Sequence, residues 1–427
     1  MSSSTQPSNR SDRPGGSAGN LPALLTALVL IASACTASAP PPAAALGTLN
    51  IGILVPFTES AIDADIGASQ RRAADLYLKL KGGTLVGREV HLFYDDESAL
   101  DPGTNKVRIQ QLLDKHVELL MGGAAAPAAY LLHDTAEARK IVYLDTNASA
   151  NALTRTNAGC TPSCKSKYVF RTAPSSWQLS EALGEWASKS GQRDWFVVAA
   201  DDTFGIESAA AFTEGLAKNG GRATGKSSVP EKSGADWKKV VAALKAQPTR
   251  NVFAAFITED AEGFMSAWDA AGMRAAGYKL AGPGPLADYE VFKVTKQAAL
   301  GVTTSFPWSV ELDNADNKIF VEEFRKAYKD DETGQSYTPD LYASQMWNAM
   351  RALEDALKAT KGDTKNTDAL IAALESVSFM GIGGSFAIDR ATHNPVQDIY
   401  IREAKASGGG LANAVVDKIG SVKDPGQ

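Results

Sequence analysis

Residues 49–56 read LNIGILVP, an apolar run that ends at a proline, and this pattern predicts a buried β-strand. Apolar side chains recur at helical spacing in residues 68–81, so a helix is predicted there, and Gly82 and Gly83 mark its end. A buried strand followed by an amphipathic helix is the repeating unit of a parallel sheet that helices cover on both faces.

The same alternation continues to residue 304. Further strands are predicted at residues 90–94, 117–121, 141–144, 195–200, 226–229, 251–257 and 278–281. Asp101 and Pro102 are predicted to begin a helix, as its N-cap and first-turn proline. The repeats fall into two series, residues 49–172 and 173–304, so two α/β units with parallel central sheets are expected.

The rest of the chain is expected to add to these two units. Long helices are predicted at about 314–330 and 339–360, with too few strands for a third sheet and a polar tail up to Gln427. Ligands of open parallel sheets bind outside the carboxyl ends of the strands, so the cleft between two such sheets is the predicted binding site. The loops that would line it are residues 56–67, 122–127, 145–150, 201–205, 258–262 and 282–288.

The first 47 residues are predicted to direct export. Residues 21–34 form an uncharged apolar run of 14 residues, too short to span a bilayer but typical of a signal peptide. A signal peptide over 1–34 and a flexible tether over 35–47 are therefore predicted. Cys35 directly follows small residues, as in a bacterial lipoprotein box, and is the predicted lipidation site; ordinary cleavage after Ala34, which would leave a soluble periplasmic protein, is the alternative.

The composition fits a globular protein and disfavours several functions. The 427 residues are 44% hydrophobic and 22% charged, and the net charge of −6 makes nucleic acid an unfavourable partner. The predicted α/β body has no nucleophile elbow, H-E-x-x-H motif or Rossmann glycine fingerprint, so no enzymatic activity, cofactor or metal is expected. In an exported protein, Cys160 and Cys164 are predicted to form a disulfide.

Short segments carry a resemblance along most of the chain. They are residues 49–56 with Gly67, Tyr94–Asp96, Asp101 with Pro102, 120–123, 168–172, 202–205, Ala271 with Gly272, and Gly282 with Pro283. In order and spacing they resemble the leucine/isoleucine/valine-binding protein family, type I periplasmic binding proteins of ABC importers, from about Leu49 to Arg402.

The resemblance implies two Rossmann-like α/β lobes joined by a three-strand hinge that close around a solute. It places lobe 1 at 48–172 plus 306–383 and lobe 2 at 173–304 plus 384–427. The crossovers are expected near residues 172–175, 304–307 and 383–386.

The resemblance also implies ligand contacts from lobe 1. In branched-chain amino-acid binders, the loop after the third parallel strand offers a serine hydroxyl and backbone N–H groups to the ligand carboxylate. Ala125 and Ala126 stand in the matching loop, so the N–H donors would remain while the hydroxyl is lost. In the next loop, Asn147 and Ser149 match residues that contact the ligand in the family. The alternatives are a turn position for Asn147 and a helix N-cap for Ser149.

Lobe 2 is expected to add aromatic contacts. Phe204 and Phe256 match aromatic ligand contacts of the family, with a core role as the alternative, and Gly284 stands where the family has the glutamate that pairs with the ligand ammonium group. Without that acid, the ammonium group of an α-amino acid has no partner, and the small glycine is expected to leave space in the site. Both changes favour a small organic carboxylate, aromatic or otherwise, over an α-amino acid. Trp177 and Trp308 flank predicted crossovers and either seal the cleft or pack the hinge.

Acidic residues at strand ends leave two interpretations open. Asp201, Asp202, Glu259 and Asp288 either replace the missing acid or begin helices, where carboxylates favour the positive end of the dipole. The triplet at residues 95–97 is expected to be solvated rather than to bind metal.

The expected function is a solute-binding protein that delivers a small organic molecule to a membrane permease. Its location would be the periplasm or the outer face of the cell membrane, with membrane attachment only through a lipid on Cys35. A ligand-sensing receptor domain of the same fold is the alternative.

Overall fold

The computed structural model describes residues 47–98, 101–156, 165–231, 234–330 and 333–426. The predicted signal peptide, nearly all of the tether, Cys35, Cys160 and Cys164 lie outside these residues. Among the described residues, no helix is both long and apolar enough to cross a bilayer.

The first sheet has six strands: β1 (Leu49–Val55), β2 (Thr84–Leu85), β3 (Arg88–Asp96), β4 (Leu119–Gly122), β5 (Val142–Asp145) and β6 (Val169–Arg171). Their order is β2-β3-β1-β4-β5-β6, and all neighbours are parallel except β2 and β3. Three helices connect them: α1 (Ala61–Leu80), α2 (Pro102–Leu113) and α3 (Ala126–Arg139). The predicted start of α2 is confirmed, since the Asp101 side chain accepts from the Gly103 and Thr104 N–H groups.

The second sheet begins with five strands, β7 (Asp194–Ala200), β8 (Arg222–Val229), β9 (Asn251–Ala255), β10 (Lys279–Pro283) and β11 (Thr303–Phe306). All neighbours among these strands are parallel. Their helices are α4 (Ser176–Lys189), α5 (Thr203–Ala217), α6 (Trp237–Lys245), α7 (Thr258–Ala270) and α8 (Tyr289–Thr295). The two α/β series read from the sequence are thus two separate sheets.

The last third of the chain divides between the two units. Three helices pack on the first core, near α1: α9 (Ala315–Ala327), α10 (Leu341–Ala359) and α11 (Thr367–Leu374). Four antiparallel strands extend the second sheet: β12 (Ser378–Gly381), β13 (Gly384–Ile388), β14 (Pro395–Ser407) and β15 (Gly410–Val422). The full order is β12-β13-β14-β11-β10-β9-β7-β8, with β15 beside β14.

The polar end of the chain forms a strand. Residues 410–422 pair with β14 in a long hairpin that turns at Gly408 and Gly409, both at positive φ. We call the first sheet with α1–α3 and α9–α11 lobe 1, and the second sheet with α4–α8 lobe 2.

A sequence motif typical of phosphate binding lies in strand β8 and the turn before it. Residues 220–227 read GGRATGKS, which matches the spacing of a phosphate-binding P-loop. A P-loop follows a strand and opens a helix, whereas Arg222–Val229 is itself strand β8. These residues therefore form no phosphate cradle.

A buried arginine joins the segments that cross between the lobes. Arg402 of β14 has no exposed surface, and it donates to the Trp308 carbonyl at 2.9 Å and to the Thr304 hydroxyl at 3.2 Å. Its guanidinium also lies 3.0 Å from the Asp288 carboxylate at the start of α8. A single side chain thus ties β14, β11 and α8 to the crossover that leads into lobe 1.

We predict that Arg402→Met lowers the free energy of unfolding by about 3–5 kcal/mol, because it leaves Asp288 as a buried charge without its partner. Chemical denaturation followed by circular dichroism measures the change. The control is Arg390→Met, which removes an 83% exposed arginine paired with Glu375 and should cost no more than about 1 kcal/mol. Equal losses in both variants would contradict the role given to Arg402.

Candidate functional site

The site is framed by the carboxyl ends of the parallel strands. In lobe 1 the strand order reverses at β1, which has β3 on one side and β4 on the other. In lobe 2 the corresponding strand is β7, between β8 and β9. A crevice opens at such a reversal because the two following loops run in opposite directions, and ligands of open α/β sheets bind there.

Glu97 bridges the crevice of lobe 1. It follows β3, and its carboxyl oxygens accept the N–H groups of Ala124 and Ala125, beyond β4, at 2.7 and 2.6 Å. The side chain spans the end of β1 and is 2% exposed. Ala125 is the N-cap residue of α3 and makes no side-chain cap, so Glu97 binds the two backbone N–H groups that directly precede the first residue of this helix, Ala126.

Burial raises the pKa of Glu97 to about 8, although the two backbone hydrogen bonds act to lower it. The nearby carboxylates of Asp63 and Glu59 raise it further. The Tyr143 side chain is also close, and its own pKa is raised well above the ordinary value by burial and by the charges of Asp145 and Glu97. The expectation that the acidic triplet is solvated is therefore wrong at Glu97.

A buried ion pair shapes the neighbouring loop. Asp145 at the end of β5 and Arg171 at the end of β6 have no exposed surface and lie 3.3 Å apart. Arg171 also donates to the carbonyls of Ala150, at 2.7 Å, and Ala148. Burial raises the pKa of Asp145 to about 7 despite the opposing charge of Arg171. The pair fixes the loop that carries the predicted ligand contacts.

Ser149 and Asn147 occupy that loop as expected, and both are half-buried. The Ser149 hydroxyl accepts from the Ser176 hydroxyl at 3.2 Å, and its carbonyl accepts the Ser176 N–H at 2.7 Å. Asn147 donates to the Ala124 carbonyl at 3.5 Å, so this loop contacts the segment that Glu97 binds. Their roles as ligand contacts remain predictions.

The backbone N–H groups predicted to bind a ligand carboxylate lie beside Glu97. The Ala125 N–H is bound by Glu97, and the Ala126 side chain packs against a small alanine-rich cluster with Leu153. The roles of Ala125 and Ala126 as ligand contacts remain predictions.

The aromatic and glycine predictions have different outcomes. Phe204 is half-buried in the first turn of α5, just after the carboxyl end of β7, and it packs against a core cluster of lobe 2 that includes Phe212. Phe256 is fully buried, with its ring 5.0 Å from those of Trp237 and Phe264, so its environment is that of a core residue. Gly284 leaves no free volume, because a Cβ atom there would lie 2.6 Å from the Phe306 ring. The expectation of extra space at Gly284 is wrong.

The two predicted tryptophans have different environments. Trp308 is 2% exposed, contacts the Phe320 ring and donates to Asn317 at 2.6 Å. Trp177 lies on α4, where its ring donates to Glu214 of α5 at 3.2 Å. These contacts favour the hinge-packing alternative for Trp308, and the role of Trp177 remains a prediction.

In lobe 2, the acids at strand ends begin helices. Asp202 accepts the Gly205 N–H at 2.6 Å as the N-cap of α5, and Asp288 does the same for Tyr289 at 2.8 Å, which confirms that interpretation for both. Thr258 begins α7 at φ 49°, a conformation that is costly for a β-branched residue. Such strain is typical of positions where the chain is held for function.

The two lobes touch across the cleft. The Asn151 N–H of lobe 1 donates to Glu207 on α5 at 2.9 Å, and Lys293 on α8 pairs with Asp65 on α1. Glu290 on α8 is hydrogen-bonded to Asp340 at the start of α10, and both are buried. Burial and the charge of Asp340 raise the pKa of Glu290 well above its ordinary value.

Sequence reasoning missed Glu97, Glu207 and Arg171. For Glu97 a signal existed, since the segment GGAAAP at 122–127 begins a helix with no side chain able to cap it. For Arg171, the signal was a cation at the end of an otherwise apolar strand. Nothing local marks Glu207, whose partner is 56 residues away.

Two α/β lobes that meet over a crevice at the carboxyl ends of their strands define a solute-binding protein of the two-lobe type. The chain belongs to the periplasmic binding protein family, whose model matches residues 48–410. It is 27% identical over 406 residues to "Leu/Ile/Val-binding protein homolog 6" of Brucella suis, covering 94% of this chain and 98% of that protein.

Solved structures show the same fold. A solute-binding protein of an ABC transporter from Rhodopseudomonas palustris BisB5, in complex with 3,4-dihydroxybenzoic acid, is 28% identical with a TM-score of 0.78, over 89% of this chain and 99% of that one. Another from R. palustris, in complex with benzoate, is 27% identical with a TM-score of 0.76, over 88% and 98%. The two-lobe α/β fold expected from the sequence is confirmed.

We predict that the free energy of unfolding decreases as the pH rises from about 5 to above 8. Glu97 has an ordinary pKa of 4.5 and a folded value of about 8, so over this range the folded state holds a proton that the unfolded state has lost. Glu97→Gln cannot ionise and should show a smaller decrease, measured by denaturation at pH 5 and pH 8.5. Glu89→Gln, an exposed position of the same strand, is the control; equal slopes in all three proteins would exclude this role for Glu97.

Proposed function

We propose that this protein captures a small organic solute between its lobes and delivers it, chemically unchanged, to the permease of an ABC importer on the outer face of the cell membrane. Family membership supports this proposal, as do the relative named for branched-chain amino acids and the similar proteins that bind aromatic acids. The similar solved structures are solute-binding proteins of ABC transporters, so they do not favour the alternative of a ligand-sensing receptor domain. Export by residues 1–34 and acylation of Cys35 belong to the same proposal.

The observation that carries the proposal is the set of contacts across the cleft. Asn151 with Glu207, Asp65 with Lys293, and Asp340 with Glu290 each join a residue of lobe 1 to one of lobe 2. All three pairs are polar, and water competes for polar groups once the lobes separate. A solute that contacts both lobes adds the free energy that makes the closed arrangement dominate.

We propose that the solute lies between the loop bearing Asn147 and Ser149 and the start of α5 at Phe204. A half-buried hydroxyl and amide on one side, with a half-buried ring on the other, suit a compact molecule with an apolar body and a polar edge. The Ala124 and Ala125 N–H groups do not belong to the proposed solute contacts, because Glu97 binds them.

A thermal-shift panel tests the proposed function. Leucine, isoleucine, valine, benzoate, 3,4-dihydroxybenzoate and the amides of these acids should include at least one compound that raises the Tm in proportion to the logarithm of its concentration, as binding to the folded state requires. Native mass spectrometry of protein purified without refolding identifies a retained solute outside this panel. Absence of any bound small molecule in both measurements would contradict the proposal.

We predict that Glu207→Ala opens the lobes and weakens solute binding. The change removes the acceptor of the Asn151 N–H, and a hydrogen bond to a charged group contributes about 1.5–3 kcal/mol, equal to a roughly 10- to 150-fold change in Kd. Small-angle scattering should show a larger radius of gyration for the variant without solute and a decrease at saturating solute. Asp269→Ala, at an exposed position of α7, is the control; the same change in affinity there, or an unchanged radius in Glu207→Ala, would refute the role of Glu207.

A further inference from the structure

The amino end of α3 is built as a carboxylate site and already contains a carboxyl group. Two successive backbone N–H groups, of Ala124 and Ala125, point at one carboxyl group from 2.7 and 2.6 Å. The helix dipole adds partial positive charge at this end, and α3 is 14 residues long. The group that binds there belongs to the protein itself, on the loop after β3.

Glu97 occupies both of these N–H groups. Each of its two oxygens accepts one N–H, and only 2% of the residue is exposed. The side chain crosses the end of β1, where the strand order of lobe 1 reverses, and therefore lies at the crevice in which ligands of such sheets bind. No second carboxylate fits on the same two N–H groups without displacing the first.

We propose that Glu97 is an internal occupant of this carboxylate subsite and determines solute selectivity: it excludes solutes whose carboxylate must bind the start of α3, and it favours solutes that meet lobe 1 with an uncharged or cationic group. This inference rests on the proposed function, and it adds the chemical class that lobe 1 accepts.

Exclusion holds in both protonation states of the residue. A neutral Glu97 still occupies the two N–H donors, so an incoming carboxylate would lose its water without gaining hydrogen bonds. An ionised Glu97 adds charge repulsion at short distance in a site with little water. Asp63 and Glu59, which lie close enough to raise the pKa of Glu97, add negative charge of the same sign.

The direct test is chemical rescue. Glu97→Ala removes the carboxyl group and leaves two buried N–H donors without an acceptor, which should lower the Tm. Sodium acetate or formate at 100 mM should then raise the Tm of the variant by about 2 °C or more relative to sodium chloride at the same ionic strength, and should leave wild type unchanged. The control is Asp95→Ala, which removes a carboxylate of the same strand end that pairs with Arg108, away from α3; it should show no rescue. Failure of acetate and formate to stabilise Glu97→Ala would overturn the assignment of the subsite.

Selectivity is tested with matched acids and amides. Wild type should bind benzamide at least as well as benzoate, and Glu97→Ala should gain about tenfold or more in affinity for benzoate with little change for benzamide. Tighter binding of benzoate by wild type, lost in Glu97→Ala, would overturn the inference. The rescue experiment needs no physiological solute, so an inactive panel with positive rescue would count against the proposed function and leave the subsite assignment supported.

A third measurement uses the unaltered protein and covers the case in which Glu97→Ala does not fold. A crystal structure of wild type grown with 100 mM sodium benzoate should keep the Glu97 oxygens on the Ala124 and Ala125 N–H groups. A benzoate carboxylate on those two groups, with Glu97 turned away, would overturn the proposal.

Discussion

Parallel strands buried on both faces impose the constraint on which this molecule depends. Helices must cover both faces of each sheet, so every β–α connection at the functional edge begins at the carboxyl end of a strand and gathers there with the others. Polar side chains cannot point into either face and concentrate at this same edge. The crevice is therefore where buried carboxyl groups such as Asp145 and Glu97 collect, and where their partners decide what else can enter.

The buried acids of this edge are stabilised in different ways. Asp145 has a cation, Arg171, whose remaining N–H groups bind the carbonyls of Ala148 and Ala150. Glu97 has two backbone N–H groups, and no cation of the described residues forms an ion pair with it. An ion pair of this kind fixes a loop, because the guanidinium has enough donors to bind several acceptors at once. A carboxyl group on a helix start instead uses donors that are otherwise typical of ligand sites.

Sequence patterns predicted the elements that depend on local periodicity. The apolar runs of β1, β4, β7 and β9, and the Asp101 cap of α2, lie where they were expected, because their signals are contained in about ten residues. The hairpin of β14 and β15 was missed, since residues 395–422 are rich in small and polar side chains and are stabilised by pairing with each other and with β11. Gly284 was misjudged for a similar reason: its volume belongs to Phe306, a contact made only in the folded sheet.

The site illustrates why matching loops do not transfer ligand chemistry from relatives. The loop at residues 122–127 keeps the backbone N–H groups that a carboxylate needs, and in isolation it predicts a carboxylate ligand. Whether those donors are available depends on β3, which reaches the same crevice from the other side of β1 and is about 25 residues earlier in the chain. A carboxyl side chain at the end of that strand occupies these N–H donors, so that a ligand carboxylate cannot bind them, although the loop itself is unchanged. Solute class in such a fold is therefore determined by pairs of loops across the strand where the order reverses, and residue 97 has to be considered together with residues 124 and 125.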